Sequence, residues 1–337
     1  MTVQTSEFAA QSSAGDPWLH RLASLRLTLA IIALLLAGSV VALHNSEHMT
    51  WSLAVPMALF ALNLASAVIV NPAFRRQSAL LLFHLALIAI VLLVAAGRLT
   101  YLRGDLELTE GAVFDGQLTD VEAGPWHGSR FHNVSFENLG FTIEYAPGIR
   151  RGKTRNRVRW IDEAGRPQSA IIGDMDALTL RGYSFYTTHH KGFAPVFTWW
   201  RNDGEALFGS VHLPPYPAFE KSQAREWTPP GTTRSIGIML QFDEVILDPA
   251  RPSEFRVPRQ HALVVRVGDE LRELRPGGRL ELAEGTLVYE GLRAWMGYTV
   301  SYDWTMPWLL AACIAATLSL AWHFWRKFVA QPWLAPQ

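Results

Sequence analysis

Charge is absent from four windows of this 337-residue chain and crowded into the rest. Residues 27–43, 51–70, 79–97 and 304–325 contain no Asp, Glu, Lys or Arg. Each is about as long as the ~17–25 residues that cross a ~30 Å hydrocarbon layer at 1.5 Å rise per residue. Inside lipid a single segment satisfies its backbone polar groups only as a helix. The pattern therefore predicts four transmembrane helices, three N-terminal and one C-terminal. The 26 residues before the first window, and the two further windows close behind it, favour a retained helix over a cleaved leader.

Between the third and fourth windows, over 98–303, the texture changes to short alternating runs punctuated by Gly, Pro and Asp. Runs at 105–109, 141–145, 158–161, 178–188, 235–243, 262–267 and 286–289 alternate with period two and carry β-branched and aromatic residues, which predicts strands. Turn signals at Asn202-Asp203-Gly204 and Gly277-Gly278 favour an antiparallel sandwich or barrel. Five prolines in 213–231 predict a loop, or a boundary between two sheets. The expected domains are thus 1–26, a cytoplasmic segment; 27–97, three spans; 98–303, an extracytoplasmic β-rich domain; 304–325, the fourth span; and 326–337, a cytoplasmic tail.

Flanking charge orients this arrangement. Arg21 and Arg26 precede the first window, the loop 44–50 has no Lys or Arg, the next loop carries Arg75 and Arg76, and the tail carries Arg326 and Lys327. Positive flanks stay in the cytoplasm, so both termini are expected there and the β-rich domain outside. Trp51, Trp304 and Trp308 then mark the outer interface, and Trp322 and Trp325 the inner one.

Overall charge balances, with 30 basic and 30 acidic residues, which argues against a nucleic-acid partner. The one cysteine, Cys313, lies in the fourth window. The outer domain therefore has neither a disulfide framework nor a C-x-x-C thiol pair, and the chain lacks the C-x-x-C-H motif that binds haem covalently. No G-x-S-x-G, H-E-x-x-H or phosphate-loop motif is present. The basic run 150–159 reads as a solvated strand or hairpin edge, or as a docking patch for an acidic partner or lipid head groups. His189-His190 is a candidate metal pair, although neighbours on a strand face opposite ways. His127, His132, His212 and His261 are isolated, and His323 sits with Trp322 and Trp325 as an interfacial anchor.

Strongly polar interior residues of the windows are few: Asn63 in the second and His84 in the third. An ionisable side chain in hydrocarbon needs a partner and is a functional candidate. Counting at 1.5 Å per residue, both lie roughly 10 Å from the cytoplasmic side. If their faces meet, the Asn63 amide fixes the His84 tautomer and leaves the other ring nitrogen free. A hydrogen bond that simply joins two helices explains the pair as well.

Segments 22–29 leading into the first helix, Phe83-His84-Leu85 in the third, 104–111 opening the outer domain, 191–196, and 297–303 before the last helix together resemble the ResB/CcsB family of cytochrome c biogenesis proteins. The resemblance covers both ends of the chain and the order of its parts. It implies a subunit of a cytochrome c haem-attachment complex in the bacterial inner (cytoplasmic) membrane, not catalytic on its own. In such a complex the chain handles and scaffolds haem, moving it across the membrane and presenting it, with a CcsA/ResC-type partner, for attachment to apocytochrome c. It further implies transient, non-covalent haem b with His84 as the axial ligand of its iron, Asn63 being a possible supporting residue. The competing expectation is a membrane-tethered extracytoplasmic binding or sensor module without haem, in which His84 is purely structural.

The charge asymmetry makes the orientation testable. Alkaline phosphatase, active only outside the cytoplasm, should be active when fused after Thr109 and inactive when fused after Arg76 or at the C-terminus. The opposite pattern would invert the topology.

Overall fold

The structure is a computed structural model that describes residues 17–44 and 49–329, apart from the side chains of Arg75, Arg130 and His132. It resolves into two compact units, one of helices and one of strands.

The helical unit contains α1 (Pro17–Leu22), α2 (Leu25–His44), α3 (Met49–Val70), α4 (Pro72–Arg76), α5 (Ser78–Thr100) and α6 (Met306–Val329). Of these, α2, α3, α5 and α6 are long and apolar enough to cross a membrane. They extend the charge-free windows by a few residues, except at the start of α6. There the Asp303 carboxylate accepts from the Thr305 N–H (2.9 Å) and hydroxyl (2.6 Å), and so sets the first turn. Within the spans Ser39, Ser66, Thr317 and Ser319 each donate to the carbonyl four residues back, so no water is needed.

α3 packs against α2 and α5, and α5 against α6. One contact has a clear cause. Pro56 inside α3 has no N–H, which removes the helical partner of the Ser52 carbonyl. Gly38 of α2 lies against that carbonyl so closely that a Cβ would stand 2.2 Å from its oxygen. The small residue on one helix thus covers the backbone group freed on the other.

The strand unit comprises Leu102–Glu122 and Gly128–Tyr302. Its strands are β1 (Leu102–Thr109), β2 (Thr119–Ala123), β3 (Glu137–Ala146), β4 (Arg150–Ile161), β5 (Pro167–Ile172), β6 (Leu178–Leu180), β7 (Tyr183–Arg201), β8 (Ala206–Ser210), β9 (Ala224–Trp227), β10 (Ile236–Gln241), β11 (Ser253–Glu254), β12 (Ala262–Val267), β13 (Glu270–Leu274), β14 (Arg279–Leu282) and β15 (Gly285–Tyr302). The main sheet runs β2-β1-β15-β7-β6, with β14 on β15 and β8 on β7; two four-stranded sheets run β13-β12-β10-β9 and β11-β3-β4-β5. The antiparallel architecture agrees with the alternation in the sequence.

Two expectations need correction, and two open readings resolve to one of their alternatives. The outer domain is not continuous over 98–303: Ala123–His127 groups with the helices, where Trp126 N–H bonds the Leu99 carbonyl (2.8 Å) and Gly124 N–H that of Tyr101 (2.9 Å). The run 178–188 is two strands, broken at Arg181-Gly182, both at positive φ. The proline-rich stretch 213–231 is the boundary between two sheets: it follows β8 of the main sheet and contains β9, which pairs with β10 in another. The basic run is a solvated strand and not an edge, because β4 lies between β3 and β5. Its alternation buries Thr154, Asn156 and Val158 and turns Arg155, Arg157 and Arg159 outward, where Arg155 pairs with Glu144 (3.2 Å) and Arg159 with Glu137.

The core of this unit is one cluster of apolar side chains drawn from all three sheets. A buried polar chain crosses it. Tyr298 Oη donates to Asn156 (2.8 Å), Asn156 donates to Asn138 (2.7 Å), and Asn138 donates to the Leu108 carbonyl (2.9 Å). Each donor is answered, so the chain fixes the register between sheets at little cost.

Lys191 is less comfortable. It is 2% exposed, and its Nζ lies 5.3 Å from the ring centre of Tyr145 and 5.7 Å from that of Phe255. Burial, reinforced by the nearby Arg151 charge and opposed by Asp174, lowers its pKa from 10.5 to about 8. Below pH 8 it is charged folded and unfolded, and the burial cost is felt in full. Between pH 8 and 10.5 the unfolded chain binds more protons, so stability rises with pH. Lys191→Met should therefore stabilise the protein by about 3 kcal/mol at pH 7, and the gain in unfolding midpoint should shrink towards zero by pH 10.5. A gain independent of pH would show that packing, not charge, sets the cost.

Candidate functional site

The intramembrane histidine stands near the start of α5. After α3 ends at Val70, Asn71 caps α4 by accepting from Ala73 N–H (3.0 Å), and Pro72 opens that short helix. This turn presents Phe74 to His84, with ring centres 4.4 Å apart; Phe83 meets the imidazole edge-on at 5.3 Å. The Nδ1 of His84 lies 2.8 Å from the Leu80 carbonyl. A carbonyl only accepts, so Nδ1 carries a proton, and Nε2 is the nitrogen left to offer a lone pair to a metal. Among the described residues Nε2 has no hydrogen-bond partner. Metal-binding imidazoles are commonly held in this way, with one nitrogen anchored and the other free. The donor set therefore fits an iron that accepts an axial imidazole.

Asn63 is not brought to His84. It is 3% exposed, and both ends of its amide are used elsewhere. Nδ2 donates to the Leu22 carbonyl at the end of α1, and Oδ1 accepts from the Thr28 hydroxyl of α2 (2.8 Å). The expected supporting pair is thus replaced by two local solutions. Leu80 orients His84, and Asn63 fastens the N-terminal helices to α3. Sequence spacing gives the axial position of each residue but not the rotation of its helix.

The remaining histidines fall into separate environments. His189 and His190 are both exposed, where the β7–β15 register shifts opposite Gly297. Gly297 is required there, since a Cβ would stand 2.7 Å from the Thr188 hydroxyl. His127 is buried, its Nδ1 2.8 Å from the Thr100 carbonyl. His261 Nε2 meets the Tyr289 hydroxyl at 2.8 Å, and the His323 ring lies 5.6 Å from that of Phe324. His132 lies outside the described side chains. Among the described residues no three His, Cys, Asp or Glu side chains gather as a metal-holding group.

One arrangement in the strand unit escapes sequence inspection. His212 Nδ1 lies 3.0 Å from Glu107 Oε2, His212 Nε2 lies 2.8 Å from Thr109 Oγ1, and that oxygen is 2.6 Å from Ser210 Oγ. This hydroxyl–imidazole–carboxylate order is the connectivity that activates nucleophiles. Here it is closed off: Thr109 is 4% exposed, its oxygen is already bonded on two sides, and the imidazole lies 5.4 Å from the Trp295 ring. The group is a polar clasp between β1 and the segment after β8. Alternation along β1 puts Glu107 and Thr109 on one face, but the hundred-residue separation from Ser210 and His212 hides the pairing in sequence.

The ResB-like family matches residues 73–328 of the chain. No curated protein matches it. Among solved structures, the cytochrome c haem lyase CcmF aligns over 88% of this chain and 34% of its own, at 14% identity and a TM-score of 0.24. The chain spans about a third of that protein's length, and a likeness this slight carries no argument.

The partners of Asn63 generate a prediction. Asn63→Ala strands the Leu22 carbonyl, leaves the Thr28 hydroxyl only the Ser24 carbonyl (3.3 Å), and should lower stability by ~0.6–2 kcal/mol, read as unfolding midpoint in detergent. Any ligand signal arising from His84 should survive. Loss of that signal at unchanged stability would show that Asn63 acts on His84 after all.

Proposed function

For a chain that belongs to the ResB-like family, a family of cytochrome c biogenesis proteins, we propose a haem-handling and scaffolding role. In this reading, haem is the cargo and His84 Nε2 is an axial ligand of its iron within the membrane. The observation that carries the reading is the Nδ1 contact to the Leu80 carbonyl, which fixes the tautomer and directs the free lone pair away from the helix backbone. Imidazole ligation offsets the cost of a polar ring among apolar residues. The absence of C-x-x-C-H from the sequence makes the binding non-covalent and therefore reversible, as a carrier requires.

The strand unit, in the same reading, lies outside the cytoplasm and positions a CcsA/ResC-type partner or apocytochrome c. In this reading the thioether bonds form when apocytochrome cysteine thiols add across the haem vinyl groups, a step completed at the separate haem-handling chain, which also supplies a second axial ligand. The competing role is a tethered binding or sensor module. There, the contacts of His84 with Leu80 and Phe74 serve only to pack α4 on α5.

The test is made on the complex. Co-purify the chain with its haem-handling partner and record the reduced haem spectrum of wild type and His84→Gly, with and without imidazole. Loss of most of the bound-haem signal in the variant, restored by imidazole, is expected. An unchanged spectrum at equal protein recovery would remove the ligand role and leave the module without haem.

A further inference from the structure

At the end of the helical unit where α5 begins and α6 ends, a cleft of about 470 Å³ is lined by Arg76, Gln77, Leu80, His323, Arg326 and Lys327. The positive-flank rule accounts for cations at this end. It does not account for their convergence, from α4 on one side and α6 on the other, onto one hollow. No carboxylate lines the cleft, and among the described residues Arg76, Arg326 and Lys327 form no ion pair. Three basic side chains thus face one space, and among the described residues no carboxylate shares it.

The cleft is also linked to His84. Leu80 lines it, and the same residue's carbonyl holds His84 Nδ1. Residues four apart on a helix lie on one face, so His84 stands one turn, ~6 Å, further into the span on the face that borders the cleft. An apolar body at the level of His84, Phe74 and Phe83 with anionic groups directed towards the helix ends would be matched at both levels. Haem has this form, an apolar macrocycle with two propionate carboxylates on one edge. Guanidinium groups suit carboxylates because they donate in a planar fork.

We propose that this cleft is the anion-binding half of the haem site, with Arg76, Arg326 and Lys327 receiving the propionates of haem ligated by His84. The inference rests on the reading of His84 given above. It makes the cleft the feature that orients haem and selects it over uncharged porphyrins. Phospholipid phosphate shares the anionic chemistry and is the alternative occupant.

The test compares haem with haem dimethyl ester, whose propionates are blocked. Full-length protein in phosphatidylcholine nanodiscs, both faces open to solution, is titrated with each and followed by absorbance. Wild type should favour haem at least ~10-fold, and Arg76→Gln/Arg326→Gln/Lys327→Gln should bind the two alike. Because three lost charges can disturb membrane insertion, each single variant is titrated too, with a partial loss of preference expected. Equal affinity of wild type for both ligands, or full preference retained by the triple variant, would overturn the proposal. So would co-purification of phosphatidylglycerol that depends on the three cations while haem preference does not. His84→Gly separates the two readings. If its spectrum matches wild type while the ester preference persists, the ligand role fails and the cleft stands. If ligation is confirmed but no ester preference exists, the reverse holds.

Discussion

Inside hydrocarbon a peptide group has no water to bond, and the helical half of this protein follows from that constraint. It requires four helices, and it also requires every polar side chain within them to find a protein partner. The serines and threonines solve the problem by bonding one turn back. Pro56 creates a debt at the Ser52 carbonyl that Gly38 covers by close approach. Asn63 spends both ends of its amide on α1 and α2. His84 is the exception: one nitrogen is satisfied by its own helix and, among the described residues, the other is left over.

The strand unit depends on a different organiser. β15 pairs with β1 along one side and β7 along the other, so residues about two hundred apart in sequence, Leu102 and Tyr302, are direct partners. The two ends of the unit therefore leave side by side. Within the helical unit α5 and α6, the helices that precede and follow it in the chain, also pack together. Both units thus satisfy the same requirement imposed by the chain connections. Trp199 and Trp295, on these two long strands, donate to the carbonyls of Pro230 and Leu213, which anchors the proline-rich stretch that has few amide donors of its own.

How much of this was legible varied with the range of the interaction. The spans were readable because lipid imposes a local rule on every residue in a window. Most strands were readable because alternation is local too. The basic run leaves solvated strand and edge both open because edge and inner strands share the same alternation; only the pairing of β4 with β3 and β5 separates them. Arg181-Gly182 escaped notice because the flanking residues continue the alternation, so the break shows only in backbone angles. His84 stood out because a titratable side chain in a charge-free window is rare, whereas His212 looked isolated because Glu107 and Thr109 lie far from it in the chain.

The sequence by itself determined the class of protein, the order of its parts and the imidazole in the interior of the third window, because each depends on composition within a short window. Only the tertiary structure decided which polar groups meet. It sent Asn63 to Leu22 and Thr28 rather than to His84, fixed the His84 tautomer through Leu80, and gathered Arg76, Arg326 and Lys327 around one cleft. The physical reason is that helix rotation and strand pairing are set by the summed packing of many distant side chains, which no local pattern records.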